Sequence, residues 1–421
     1  VVTSTTFDGN LTGTPTLGAG VTVYSSGIVS CTSLDVGTAV TATTVGTTGI
    51  ITAAQFVPTV GQFGHRNIVI NGAMRIKQRS DAYGANTNTG IGYSTVDRFK
   101  TAVSGTDEAI TQESHTLTAS DTGPWGEGFR NSFKLTNGNQ TGGAGAADYV
   151  EIQYKVEAQD IANSGWYYTS TSSYVTLSFW VISSVAQNFY GYLYTSDGTT
   201  RAYAFETGSL TADTWKKVEV TIPGSSSPAL QFDDDTGDGL VIRWIPFYGT
   251  DKTNNSRSLN SWASYNGTQR TPDYTTTWWT TNDSTFEITG VQLEVGAAST
   301  PFEHLSYQND LARCQRYYYN LTGGTGVVGM AAQKSATQII GTMEYPVPLR
   351  TAAPTLEPSG DFQLRIDCGG ELKSSSSGSF TISNGETERL GYKMTGFTDI
   401  AAGTAFLCKP NAGNLGFNAE L

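Results

Sequence analysis

Phe286-Glu287-Ile288-Thr289-Gly290-Val291-Gln292-Leu293-Glu294-Val295-Gly296 is the stretch that decides the reading of this 421-residue chain. Phe286 and Ile288 alternate with polar neighbours, then Val291, Leu293 and Val295 do so after a shift of phase at Gly290. That is a period-two strand with one face for a core and a bulge at the glycine. A loop follows through Pro301-Phe302-Glu303. The spacing then predicts one helix over Ser306 to Tyr318, with Ser306 as cap and Asp310 close to the first turn. Tyr307, Leu311, Cys314 and Tyr318 form one stripe of it. The stripe suits a helix laid on a sandwich edge and, equally, one that meets its symmetry mates about a threefold axis.

Working outward, further strands are predicted at Asn67–Asn71, Tyr149–Val156, Tyr174–Ile182, Tyr190–Thr195, Trp215–Ile222 and Leu240–Trp244. Turn signals separate them: Ser196-Asp197-Gly198, Pro223-Gly224 and Gly237-Asp238-Gly239. Short strands joined by tight turns argue for an all-β sandwich or jelly roll over residues 63–305. A connecting helix takes 306–322, and a second β-sandwich takes 323–421. In that last unit Pro346 and Pro348 exclude a central strand, so Tyr345–Arg350 is expected at an edge or connection. Residues 1–62 carry only Asp8 and Asp35 as charges, among Thr, Ser, Gly, Val and Ala. Their short pieces cannot bury a face within one chain, so they are expected to form a β-rich stem completed by neighbouring copies, a trimer. The alternative is a Gly/Ser/Thr linker.

The runs also carry a family resemblance. Gly290-Val291-Gln292-Leu293-Glu294-Val295-Gly296, Pro301-Phe302-Glu303 and Cys314-Gln315-Arg316-Tyr317-Tyr318 resemble the end of the jelly-roll domain in tail-fibre proteins of tailed bacteriophages, cyanophage-like ones included. Asn67-Ile68-Val69-Ile70-Asn71-Gly72-Ala73-Met74, Gln78-Arg79 and Val96-Asp97-Arg98-Phe99 resemble its opening. Tyr345-Pro346-Val347-Pro348-Leu349-Arg350 resembles an element after it, with Leu349 where methionine is more usual. Trp215–Pro223 resembles a strand of galactose-binding-like carbohydrate-binding modules. The resemblance implies a homotrimeric fibre on the virion, assembled in the host cytoplasm alongside other virion proteins, with a jelly roll that binds host-surface glycans. A head fibre or capsid-decoration protein is the first alternative, and a polysaccharide depolymerase the second.

The residues themselves bound the chemistry. A net charge of −12 argues against nucleic acid as a partner. No run approaches the length of a membrane span, so no membrane insertion is expected. The chain begins at Val1, and a longer polypeptide is expected. Cys31, Cys314, Cys368 and Cys408 lack zinc or disulfide spacing and are expected as free thiols. His65, His115 and His304 stand apart, no nucleophile elbow is present, and Glu294 and Glu303 belong to the signature. Neither catalysis nor a cofactor or metal is therefore expected, with calcium at Asp233–Asp238 left open. The candidate site is the cluster Trp262, Tyr265, Tyr274, Trp278 and Trp279, set among Asn, Ser, Thr and Gly. Sugar rings stack on aromatic faces and their hydroxyls bond such polar neighbours. The other reading of Trp278 and Trp279 is a strand start packed inside the sandwich.

Overall fold

In the computed structural model, residues 65–80, 82–84, 92–322, 326–368, 371–374, 380–398, 400 and 405–421 are described. The predicted stem, residues 1–62, lies outside the described residues. The rest is nearly all β, as the turn-punctuated sequence requires.

Two six-stranded antiparallel sheets face each other to form the jelly roll. The first runs β1 (Ala82–Gly84), β3 (Thr111–Thr116), β4 (Asn131–Thr136), β12 (Thr285–Val295), β6 (Tyr174–Ser183), β9 (Lys216–Pro223). The second runs β11 (Trp262–Ser264), β8 (Arg201–Ser209), β7 (Asn188–Thr195), β10 (Asp238–Tyr248), β5 (Tyr149–Glu157), β2 (Phe99–Ser104). Alternation fills the space between them. Val175, Leu177, Phe179 and Val181 of β6 meet Leu240, Ile242 and Trp244 of β10 in one core cluster. The Phe179 and Trp244 rings lie 5.8 Å apart, edge to face, and such burial contributes about 1.5–3 kcal/mol for each large side chain. Strand β12 is central, paired to β4 on one side and β6 on the other. Its register shifts between Thr289 and Gln292, and Gly290 sits at φ 62° with the Phe129 ring against it. The phase shift read in the sequence is this bulge.

Asn67–Asn71 is not a strand. Its asparagine side chains replace ladder bonds. Asn67 accepts from the Val69 and Leu293 amides, at 3.0 Å each, and donates to the Val291 carbonyl. Asn71, at φ 61°, accepts from the amides of Arg75 and Ile76 and donates to the carbonyls of Ile76 and Asp97. A methyl at Gly72 would overlap the Val291 carbonyl oxygen.

After two short helical turns, α1 (Ala158–Ala162) and α2 (Thr277–Thr280), the longer helix α3 spans Tyr307–Gln315, with the Ser306 hydroxyl accepting from the Asn309 amide at 3.2 Å. Cys314 is buried with Ile70, Ile76 and Tyr317, and Leu311 packs on them. The helix therefore lies on the jelly roll. Tyr307 is instead 59% exposed under Arg75, and Tyr318 begins the next strand.

After α3 the chain forms one eight-stranded antiparallel sheet. Its strands are β13 (Tyr318–Thr322), β14 (Gly329–Ser335), β15 (Gln338–Glu344), β16 (Thr355–Cys368), β17 (Glu371–Ser374), β18 (Phe380–Gly385), β19 (Arg389–Thr395) and β20 (Ala405–Asn418). Phe380 on the edge strand β18 meets Phe362 of β16 at 6.0 Å and Phe417 of β20 at 6.1 Å. The sheet thus folds over its own core. Tyr345–Arg350 is a connection between strands, as its prolines require.

The runs that carry the resemblance converge where this unit meets the jelly roll. Arg98 stacks 3.4 Å from the Tyr317 ring centre and pairs with Glu420; both charged groups are almost fully buried. Arg79 stacks 3.4 Å from the Tyr318 ring centre, with Asp97, Glu357 and Glu420 at 3.6–3.9 Å. Gln78 donates to Asp97 and to the Tyr318 carbonyl. Burial pushes the Asp97 carboxyl up to about 6, against the pull of Arg79 and Gln78. Charges this deep hold because each has a partner.

Candidate functional site

The outer face of the second sheet is the candidate site. Its strands turn alternate residues outward, and tyrosines and charged residues stand among them, beside Ala202, Ala204 and Ile245. On β7, Phe189, Gly191 and Leu193 face the core while Tyr190, Tyr192 and Tyr194 face out. Gly191 is obligatory there, because a side chain would collide with the Phe205 ring. On β5, Tyr149, Glu151, Gln153 and Lys155 alternate with the core residues Val150, Ile152, Tyr154 and Val156. Lys100, Gln153, Arg243, Tyr192 and Ala204 stand side by side across five strands.

Arg243 organises the centre. Its Nη1 donates to both Glu151 oxygens at 2.7 and 2.9 Å, and its Nη2 donates to the Tyr194 hydroxyl at 3.1 Å. Tyr248 also donates to Glu151. Burial pushes the Tyr192 and Tyr248 hydroxyls well above their ordinary value, so both stay protonated donors.

Residues 250–276 lie over the β7–β8 half of this face. Arg257 donates to the Ala202 carbonyl, the Asn260 amide to that of Ala204, and the Tyr265 amide to that of Thr200. The Tyr265 ring stands 5.6 Å from that of Tyr194. Trp262 packs on Tyr203 and donates from its indole to the Pro223 carbonyl at 2.7 Å. Between them opens a groove of about 730 Å³, edged by the exposed hydroxyls of Ser256, Ser258, Ser261 and Ser264 and the amide of Asn266.

The structure separates the five aromatics singled out in the sequence. Trp262 and Tyr265 line the groove. Tyr274 does not present its face: its hydroxyl donates to the Tyr190 and Ile245 carbonyls, and its ring sits among Tyr190, Phe247 and Tyr248. Trp278 and Trp279 are fully buried, which corrects their expected surface role. A helical turn, α2 (Thr277–Thr280), drives both rings inward, where their indoles donate to the Thr285 and Gly143 carbonyls. A polar stretch hid two core residues. Conversely, Tyr149, Tyr192, Tyr194 and Arg243 were not singled out as site residues. The alternation of Tyr190, Tyr192 and Tyr194 was the available signal.

The remaining candidates sit apart. His115 Nδ1 lies 2.9 Å from Glu287, on the outer face of the first sheet, where Ser132 donates to the same oxygen. That hydrogen bond raises the His115 pKa above the ordinary histidine value. His304 packs between Phe129 and Phe302. Glu294 accepts from Gln292 and from the amide and hydroxyl of Thr300, and Glu303 accepts from the Asn67 amide, so both pin the closing strand. Among the described residues no group of three or more His, Cys, Asp or Glu side chains is placed to hold a metal, and no helix is long and apolar enough to cross a membrane. Cys314 and Cys408 are buried free thiols, raised by burial; Cys31 and the Cys368 side chain lie outside what is described.

No protein-family model and no curated protein matches the chain. Solved structures that align with it include the enzymatically active domain of tailspike protein 4 of bacteriophage CBA120, at 10% identity and a TM-score of 0.27, over 55% of this chain and 21% of that one. The N-terminal cellulose-binding domain of Cellulomonas fimi β-1,4-glucanase C aligns at 10% identity and 0.24, over 53% of this chain and 99% of that one. The family 11 carbohydrate-binding module from Clostridium thermocellum, in complex with a β-1,3-1,4-mixed-linked tetrasaccharide, aligns at 11% identity and 0.23, over 53% and 98%.

Proposed function

We propose that this chain is a virion fibre protein, a tail fibre of a tailed phage, that attaches the particle to host-surface glycans as a homotrimer. One observation carries the glycan reading: the half-exposed rings of Tyr149, Tyr190, Tyr194 and Tyr265 stand on the outer side of the second sheet of the jelly roll, beside a groove edged by exposed serine hydroxyls and the Asn266 amide. Half-exposed tyrosine rings offer stacking faces, and the fixed donors and acceptors around them suit sugar hydroxyls. The ordered series of motifs supports the fibre reading, because their residues meet in one buried junction. Three weak sites on one rigid trimer give avidity beyond that of a single site.

The test is binding of the purified full chain to a panel of bacterial surface glycans, with light scattering on the same sample. Saturable binding to at least one glycan, at three times the chain mass, is the expected result. A folded monomer sinks the trimer, and no binding across the panel sinks the glycan role. Antibody labelling of intact particles separates tail from capsid.

A further inference from the structure

The outer face of the second sheet differs from the rest of the molecule in charge. The chain as a whole carries −12. Here five cations gather: Lys100 on β2, Lys155 on β5, Arg243 on β10, and Lys252 and Arg270 from the overlying loop. Two are matched, Lys155 by Asp238 at 2.6 Å and Arg243 by Glu151. Lys100, Lys252 and Arg270 have no carboxylate at ion-pair distance among the described residues. Each is half-exposed and stands by an aromatic ring: Lys252 is 4.5 Å from the centre of Tyr149, Arg270 is 5.6 and 5.9 Å from Tyr248 and Tyr265, and Lys100 is 5.8 Å from Tyr93. Burial and the neighbouring Lys155 and Arg243 press the Lys100 pKa down, as burial and Arg270 do for Lys252. An acidic chain thus holds, on one sheet face, positive charges without an ion-pair partner among the described residues, at a cost a bound anion would relieve.

We infer that this face takes an acidic polysaccharide, a sugar chain bearing carboxylates, with Lys100, Lys252 and Arg270 meeting the carboxylates and Tyr194 and Tyr265 meeting the ring faces. The inference rests on the glycan reading above and names its ligand class. The geometry suits a chain rather than a single sugar. Lys100 to Tyr192 spans three interstrand spacings, about 14 Å, and the groove by Tyr265 continues beyond them. Aromatic rings beside cations favour ligands with alternating apolar faces and negative charge, which acidic sugars supply. The cleft of about 580 Å³ between residues 65–70 and α3 lacks this character, since Arg66, Arg313 and Arg316 there donate to Pro301, Asn67 and Glu157.

The test is binding of the full chain to polygalacturonate, to neutral dextran and to single-stranded DNA, at low and high salt. Polygalacturonate is expected to bind best and to weaken as salt screens the cations. Lys100→Gln and Lys252→Gln should each lower that affinity about threefold, as loss of a partly exposed ion pair does, with melting temperature unchanged. Arg270 also holds the loop, so the two lysines are the cleaner variants. Equal binding of dextran, unaffected by the lysine variants, overturns the inference and leaves glycan recognition standing. DNA binding as tight as polygalacturonate also overturns it, by making the face a general polyanion site. No binding of either polysaccharide, with none across the wider glycan panel, overturns both readings.

Discussion

At the base of the jelly roll, Arg98 lies 3.4 Å from the Tyr317 ring and is closed over by Glu420, out of water. On the outer face of the second sheet, Arg270 lies 5.9 Å from the Tyr265 ring and, among the described residues, no carboxylate closes over it. The same two residue types serve opposite ends. A buried arginine with ring and carboxylate is a joint, whose groups have nothing left to offer a ligand. A half-exposed arginine or lysine beside a ring keeps its charge and the ring its face. What distinguishes a site from a scaffold here is the missing third partner, not the composition.

The comparison breaks most visibly if the buried indoles behave as surface groups. Trp279→Ala should cost roughly 3–5 kcal/mol, as for other buried tryptophans, and lower the melting temperature sharply. A small shift, with binding lost, would return Trp279 to the surface. Next comes the joint itself. Glu420→Gln strands Arg98 in the interior and should cost about 3 kcal/mol, the lower end for breaking a buried pair because the amide keeps one acceptor. Chemical denaturation of the full chain measures it, and an unchanged midpoint would refute the joint. On the open face the sign reverses. Tyr265→Ala should leave stability within about 0.5 kcal/mol. It should weaken glycan binding about fivefold, near 1 kcal/mol for one stacking ring. Loss of stability without loss of binding would make Tyr265 a loop anchor like Tyr274.

The smallest effect is set by pH. His115 is raised in the fold by Glu287, so its contribution is complete below the ordinary histidine value and is lost as pH rises through the raised one. The gap in melting temperature between wild type and His115→Gln should therefore narrow from pH 5.5 to pH 8.5. A gap that widens would show that the pairing with Glu287 is not what stabilises the fold.

The sheets were legible where alternation is strong. Strands β5, β6, β7, β9, β10 and β12, and the bulge at Gly290, follow from period-two spacing. Of the two jelly-roll sheets, strands β1, β2, β3, β4, β8 and β11 were missed. Thr111–Thr116, for one, reads Thr-Gln-Glu-Ser-His-Thr, because its inward residues Gln112 and Ser114 are polar, Gln112 donating to Thr95 within the sandwich. Ile68-Val69-Ile70 misled in the other direction, since long-range bonds from Asn67 and Asn71 decide its path. The site was half legible. Its loop was found from aromatics in a polar setting. The facing of Trp278 and Trp279 depended on a helical turn that the Thr-rich sequence conceals, and the charge of the sheet face depended on strands about 50 to 90 residues apart coming side by side.

The central place of β12 has a consequence for how the molecule is made. A ribosome delivers β4 and β6 long before β12, which must enter between them. Until residue 295 has emerged, the first sheet exists as two separate pieces, each with a bare hydrogen-bonding edge. The contacts that then lock the sandwich close long loops, of more than two hundred residues for Asn67 to Leu293. Folding of this domain is therefore slow and late, and its half-made form offers strand edges to neighbouring nascent chains.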